Sequence, residues 1–289
     1  MGAKPQHRPE ALVLVGGHES RDGRALAALA AWPELLGEPP LRIAAAGRPL
    51  AAAIGQKAGT QGFRGPVVVV PMTLGRDPRL VSDTARTVRW IARDRPEGAI
   101  VLAEPFGTPD HLVSWLRAAC RTHPDDTAIL IAAPAADPFD DAELHRIAAL
   151  VRVFGTHPLV EVALLTPGGH ALRDGLERCR RLGAGQVAIV PAGFESPVGT
   201  AGPLLAPVAV ASVISARVAT ACRRLAESGE DGVSAALAAD HHHGFAHAHD
   251  HTNNDNHGHT HDTSTTSGPH LKKKGPAHAA PRSVHVRDR

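Results

Sequence analysis

A chain of 289 residues can form one large or two medium domains, and a formal charge of +2 at pH 7 argues against a nucleic-acid partner. Tyr is absent and Phe and Trp are few, so Ala, Val, Leu and Ile must build an aliphatic core, suited to Val-rich parallel strands under Ala-rich helices. No apolar run approaches the ~20 residues of a membrane span, and residues 1–10 are polar, without the apolar centre of a signal peptide; a cytoplasmic protein with no membrane partner is expected.

After a flexible segment at 1–10, the pattern predicts a strand at 11–15 and a helix at 23–31. Strand 41–45 leads to helix 49–57, strand 66–70 to helix 80–93, and strand 99–103 to helix 109–121. Beyond these come strand 128–132, helix 140–153, strand 160–164, helix 170–182, strand 186–190 and helix 204–227. Strand followed by helix, repeated, predicts an α/β protein with parallel sheets and right-handed crossovers. An internal repeat sharpens this. "LRIAAAGRPLAAAIGQKAGTQGFRGPVVVVP" (41–71) matches "VEVALLTPGGHALRDGLERCRRLGAGQVAIVP" (160–191), and 11–26 pairs loosely with 128–144. Two tandem half-domains are expected, 11–122 and 127–228, separated where "THPDD" breaks the helix. If they face one another they leave a central cleft, a common place for a ligand.

His18 closes the first strand in "LVGGHESRDGRA". Ligands of open parallel sheets bind beyond the carboxyl ends of strands, and Gly16 and Gly17 let the backbone approach one closely. From position alone, His18 is either a metal ligand and proton acceptor or a loop histidine without a special role. Cys120, Cys179 and Cys222 form no CxxC pair and read as buried helix thiols. His111 and His170 open helices; His123, His145 and His157 read as surface or turn residues. From residue 238 onward, apolar periodicity disappears, and 238–289 is expected to be a disordered tail. Within it, His241, His242, His243, His247, His249, His251, His257, His259 and His261 are candidate metal ligands, mostly in HxH or HH steps interleaved with Asp. Imidazoles suit cobalt, nickel, zinc or copper, and the irregular spacing selects none of them. The basic run "HLKKKG" reads as solvated.

The segment "GGHESRDGRA" resembles the N-terminal signature of the class II chelatases, the CbiX-type sirohydrochlorin cobaltochelatases and their iron-inserting relatives, usually of the form GHGSRD. "VVVVPMTLGRDPRLVSD" (67–83), "LAEPFGTPDHLVSWL" (102–116) and "GHALRDGLERCRRLGAGQVAIVP" (169–191) resemble later segments of that family in the same order. The resemblance covers most of 11–225 and implies two chelatase-like half-domains. It implies a lyase that inserts a divalent metal into a sirohydrochlorin-like tetrapyrrole, with no tightly bound cofactor. No GxxxxGK[ST] loop is present, in keeping with a chelatase that hydrolyses no nucleotide. Co2+ is favoured because of the histidine tail, which points to cobalamin biosynthesis. Fe2+ (for sirohaem) or Ni2+ are the other ions, and a degenerate metal- or tetrapyrrole-binding protein is the other class of function.

By the same resemblance His18 is the metal or proton histidine. Ser20, Arg21 and Arg79 are substrate-binding candidates, with Arg24, Arg76 and Arg86 as further arginines that could pair with the substrate's carboxylates. The chain departs from the family pattern at several points. Glu19 replaces the glycine after the histidine, and reads either as a substitute ligand or base or as an exposed loop carboxylate. The family's second histidine is missing, with Arg79 near its place; the acidic residue after the second strand gives way to "AAAGRP"; and "AAPAADPF" in the second repeat has no histidine matching His18.

Overall fold

Every predicted strand forms, each a short aliphatic run between turn residues, and residues 11–16, 67–72, 100–102 and 128–133 are buried on both faces. The computed structural model describes residues 9–30, 39–55 and 66–238. The described residues all belong to the compact unit Met1–Ala246; the unit His247–Arg289 lies outside them. In chain order the elements are β1 (Ala11–Gly16), α1 (Ala27–Ala30), β2 (Leu41–Ala45), α2 (Arg48–Gly55), β3 (Val67–Met72), α3 (Pro78–Ala92), β4 (Ile100–Leu102) and α4 (Pro109–Cys120). They continue with β5 (Ala128–Pro134), α5 (Pro138–Val153), β6 (Val160–Leu165), α6 (Ala171–Arg181), β7 (Val187–Pro191), α7 (Pro207–Ser228) and α8 (Val233–Leu237). Short 3-10 turns at His18–Ser20 and Arg24–Leu26 join β1 to α1.

The strands make two wholly parallel sheets, a four-stranded one in the order β2-β1-β3-β4 and a three-stranded one in the order β6-β5-β7. Leu12 of β1 pairs with Leu41 and Val68, and Ile129 of β5 pairs with Val160 and Ala188. The first strand of each repeat is thus central, flanked by its second and third. This is the topology the internal repeat requires, with β4 as an addition to the first sheet.

Alternation along the strands divides the interior into layers. Val13, Val15, Val67, Val69, Ile100 and Leu102 face a cluster with Leu50 and Ile54 of α2, Leu80 and Val88 of α3, and Val233 of α8. The opposite faces, through Leu14, Val70, Ile129 and Ile131, share one core with Leu112 and Leu116 of α4, Leu144 and Ile147 of α5, and Ile214 of α7. The far face of the second sheet packs Leu130 and Ala163 on Cys179 of α6. The two sheets therefore enclose a common helical layer. Helix α7 also reaches back to the first repeat, where Arg217 and Arg224 both pair with Glu104, each at 2.7 Å.

Three helix starts share one device. Asp77-Pro78, Thr108-Pro109 and Asp137-Pro138 each place a capping side chain before a proline at the first helical position. Thus α3 and α5 begin two residues earlier than the apolar periodicity indicates. Helix α8 escaped prediction because it is a single short turn beyond the last long amphipathic run. His157, read as a surface or turn residue, lies in the turn between α5 and β6 and is buried, its Nδ1 and Nε2 each 2.9 Å from the carbonyls of Thr127 and Cys120 respectively. It ties the α4–β5 turn to the second repeat. No helix among the described residues is long and apolar enough to cross a membrane.

Candidate metal site at the junction of the repeats

The turn after β1 is shaped by close backbone approach. A Cβ on Gly16 would overlap the backbone of Gly23, and one on Gly17 would overlap the Asp77 carboxylate. Arg21, Asp22 and Gly23 all have positive φ, at 50°, 57° and 91°. Ser20 holds this coil together: its hydroxyl donates to the Gly17 carbonyl and accepts from the Gly23 amide. It is fully buried, so its role here is to fasten the loop; the hydroxyl expected to contact substrate is turned inward.

The loop delivers His18 to two carboxylates. His18 Nδ1 lies 3.0 Å from Asp77 Oδ2 and 3.9 Å from Asp140 Oδ2. One donor atom from each of the three residues fits within 4.8 Å of the others, an arrangement able to hold a metal ion. Asp77 divides its labour: Oδ1 accepts from the Leu80 amide and caps α3, while Oδ2 also accepts from the His18 backbone amide. Asp140 comes from the other repeat, in the first turn of α5, where its amide donates to the capping Asp137. Burial works against the charged form of His18, but the hydrogen bond to Asp77 and the nearby Glu19 and Asp77 charges outweigh it, and its pKa is raised. Burial likewise opposes ionisation of Asp77, and the bond to His18 outweighs it, so the Asp77 pKa is lowered. The two shifts are opposite in sign, as a mutual hydrogen bond between imidazole and carboxylate produces. The second ring nitrogen, Nε2, is buried with no hydrogen-bond partner.

Glu19 points away from this cluster into the interior and is 1% exposed, which removes the exposed-carboxylate reading. Its Oε2 accepts from the Thr73 hydroxyl and from the Leu74 amide at 2.8 Å. Its Oε1 stands 3.6 Å from Nε of the fully buried Arg76. Burial raises the Glu19 pKa in spite of Arg76. Arg76 Nε and Glu19 Oε1 make no hydrogen bond at 3.6 Å, so desolvation of the carboxylate outweighs the attraction of the guanidinium. Arg76 reaches on to the Pro134 and Asp140 carbonyls at 3.3 and 3.5 Å. The Phe194 amide donates to the Glu19 carbonyl. Glu19 and Arg76 thus brace the junction.

Arg21 and Arg79 are exposed and each crosses the junction, Arg21 to Glu195 and Arg79 to Asp137, both at 2.7 Å. Arg24 is exposed, and Arg86 pairs with Asp83 along α3. Where a central cleft was expected, side chains meet directly at this point of the junction. A cavity of about 240 Å³ lies alongside, bordered by Thr73, Gly75, Asp77, Val81, Glu104 and Arg224, and shares Asp77 with the cluster. It is smaller than the ~300–1,000 Å³ of sites that enclose drug-sized ligands. His111 caps α4 with Thr108, and His170 stands before α6. The tail histidines, His241 to His261, lie outside the described residues.

Sequence reasoning missed Asp77 and Asp140. Asp77 carried a legible signal, the Asp-Pro helix start two residues before Arg79; Asp140 carried none, since only the packing of the repeats brings it to His18.

No family model matches the chain. It is similar to a curated protein named sirohydrochlorin ferrochelatase from Priestia megaterium, with 23% identity over 130 residues, 43% of this chain and 49% of the relative. The match spans about half the length of that relative.

Proposed function

We propose that the chain is a metal-ion chelatase that inserts a divalent ion into a sirohydrochlorin-like tetrapyrrole. The observation that carries this reading is the convergence of His18, Asp77 and Asp140 at the carboxyl ends of the strands. The name of the similar protein supports it. Insertion requires stripping water from the ion and removing two pyrrole protons. Two carboxylates and an imidazole can replace aquo ligands, and three protein donors leave positions open for transfer to the macrocycle. Once the ion has left, His18 Nδ1 can take up a proton, held by Asp77. Glu19 contributes by fixing the loop that carries His18. Arg21 and Arg79, now paired to Glu195 and Asp137 at the rim, can exchange those partners for substrate carboxylates.

The histidine tail favours cobalt, with the product used for cobalamin in the cytoplasm and no tightly bound cofactor needed. Iron, giving sirohaem, is the second reading, favoured by the two carboxylates of the seat. Anaerobic incubation of the full chain with sirohydrochlorin and Co2+, Fe2+ or Ni2+, followed by absorbance, tests the proposal. Metallation faster than the uncatalysed reaction, lost in His18→Ala, is expected. A rate equal to the uncatalysed one with every ion refutes it and leaves a binding protein.

A further inference from the structure

The donor set itself discriminates between ions. His18 and Asp77 come from the first repeat, and Asp140 from the second, 122 positions after His18 in the chain. Neutral imidazole suits iron, nickel, copper and zinc, whereas carboxylate oxygens suit magnesium, calcium and manganese. With one nitrogen and two carboxylates, the seat offers two negative charges to a 2+ ion and only one borderline donor. Ions held at ~2.0–2.2 Å place neighbouring donors roughly 3–3.5 Å apart. The His18–Asp77 separation of 3.0 Å meets that spacing, and the His18–Asp140 separation of 3.9 Å exceeds it by less than about 1 Å.

Asp140 is held near the seat by its neighbours. Its amide is anchored on Asp137 and its carbonyl accepts from Arg76, which is itself buried beside Glu19. Nδ1 is the His18 nitrogen directed at both carboxylates, so a bridging ion takes that atom. A second imidazole from the tail would convert the seat into a nitrogen-rich site, but none is needed to complete three donors.

We infer that the ion seat is shared between the repeats, and that Asp140, supplied by the second, shifts its selectivity toward oxygen-preferring manganese relative to a seat with a further imidazole in that place. The inference rests on the metal-seat part of the proposed function and is separable from the chemistry on the macrocycle. Mn2+ is the probe, because a histidine tail competes poorly for it, and the free ion is counted by its electron paramagnetic resonance signal. The full-length protein is titrated with Mn2+ beside Asp140→Asn, Asp140→Glu and Asp140→His, and Ni2+ is then added to displace the bound Mn2+. The tail is common to all arms and cancels from the comparison.

The wild type should bind Mn2+ at one site, the Asn variant at least tenfold more weakly, and the Glu variant close to the wild type. The His variant should show a Ni2+ over Mn2+ preference at least tenfold greater than the wild type. Pulsed resonance on the wild type should show a single directly bound imidazole nitrogen, a readout that needs no variant to fold. An Asn variant that binds Mn2+ as the wild type does overturns the inference, as does a bound ion with no nitrogen or with several. If Mn2+ binding depends on Asp140 while no macrocycle is metallated, the inference stands and the chelatase proposal fails.

Discussion

Replacing Arg76 by methionine should destabilise the protein in a pH-dependent way, because the change leaves Glu19 buried without the neighbouring guanidinium. Arg76 Nε and Glu19 Oε1 are 3.6 Å apart and both side chains are almost wholly buried. At an effective dielectric of ~20 that separation corresponds to about 4–5 kcal/mol of attraction between full charges. Breaking buried pairs by removing one partner typically costs ~3–5 kcal/mol. The full cost applies only where Glu19 is ionised. Burial raises its folded pKa above the ordinary 4.5, so the folded chain holds this proton more tightly than the unfolded chain. For this group, stability therefore falls as pH rises from 4.5 through the folded value. Removing Arg76 pushes the folded value higher and prolongs the fall. The penalty should be smallest at the acid end, near the ordinary 4.5, and should grow toward about 3–5 kcal/mol at the alkaline end, as pH rises through the folded value. Urea unfolding of wild type, Arg76→Met, Glu19→Gln and the double variant measures it, with the m-value checked for constancy. The double variant should recover much of the loss at high pH, since it leaves no uncompensated charge. A cost that is the same at both ends, or additive single effects, would refute this account of the junction.

Asp77→Asn separates structure from chemistry. Asparagine caps helices as well as aspartate, so α3 should survive with a stability change of about 1–2 kcal/mol, while metallation falls at least tenfold. The Asp77 pKa is lowered from 3.8 and the His18 pKa raised from 6.5. Their pairing therefore contributes fully between those two values; it fades as pH drops through the folded Asp77 value and as pH rises through the folded His18 value. Unfolding curves of wild type and Asn variant that stay parallel from pH ~3 to ~9 would contradict the pairing. Deleting residues 240–289 should lower metallation when metal is scarce and leave it unchanged at excess metal, as read by initial rates. Loss of all activity at excess metal would show that the tail takes part in the chemistry.

Much of the fold was legible because its determinants are local. Parallel strands buried on both faces must be continuous aliphatic runs, and 67–72 and 128–134 stand out for that reason. The duplication was legible because both copies had to satisfy the same strand–helix–strand packing, and it reappears as β1 and β5 each lying between their two successors. The coil around His18 was partly legible through its glycines. What Glu19, Ser20 and Arg76 do was not: a polar residue in a Gly-rich loop gives no sign of whether it will face water. Glu19 and Ser20 turn inward because backbone amides at Leu74 and Gly23 need acceptors there.

The missing second histidine illustrates where pattern ends and packing begins. Arg79 sits near its expected place, yet its guanidinium leaves for Asp137 across the junction. Two residues earlier, Asp77 is obliged by Pro78 to cap α3, and a residue capping a helix at the end of β3 necessarily stands beside the turn that ends β1, its sheet neighbour. The carboxylate that starts the helix is therefore also the one that meets His18. Asp140 arrives by a different route: Asp137-Pro138 starts α5 directly after β5, the partner of β1 in the repeat, and Asp140 lies in the first turn of that helix. The second copy lacks a histidine at the matching position, but the helix that opens there brings an oxygen donor to the first copy's imidazole. The ligands thus come from beyond the first strand of each copy and the third strand of one, and the side chain at each position sets which ion the junction can hold.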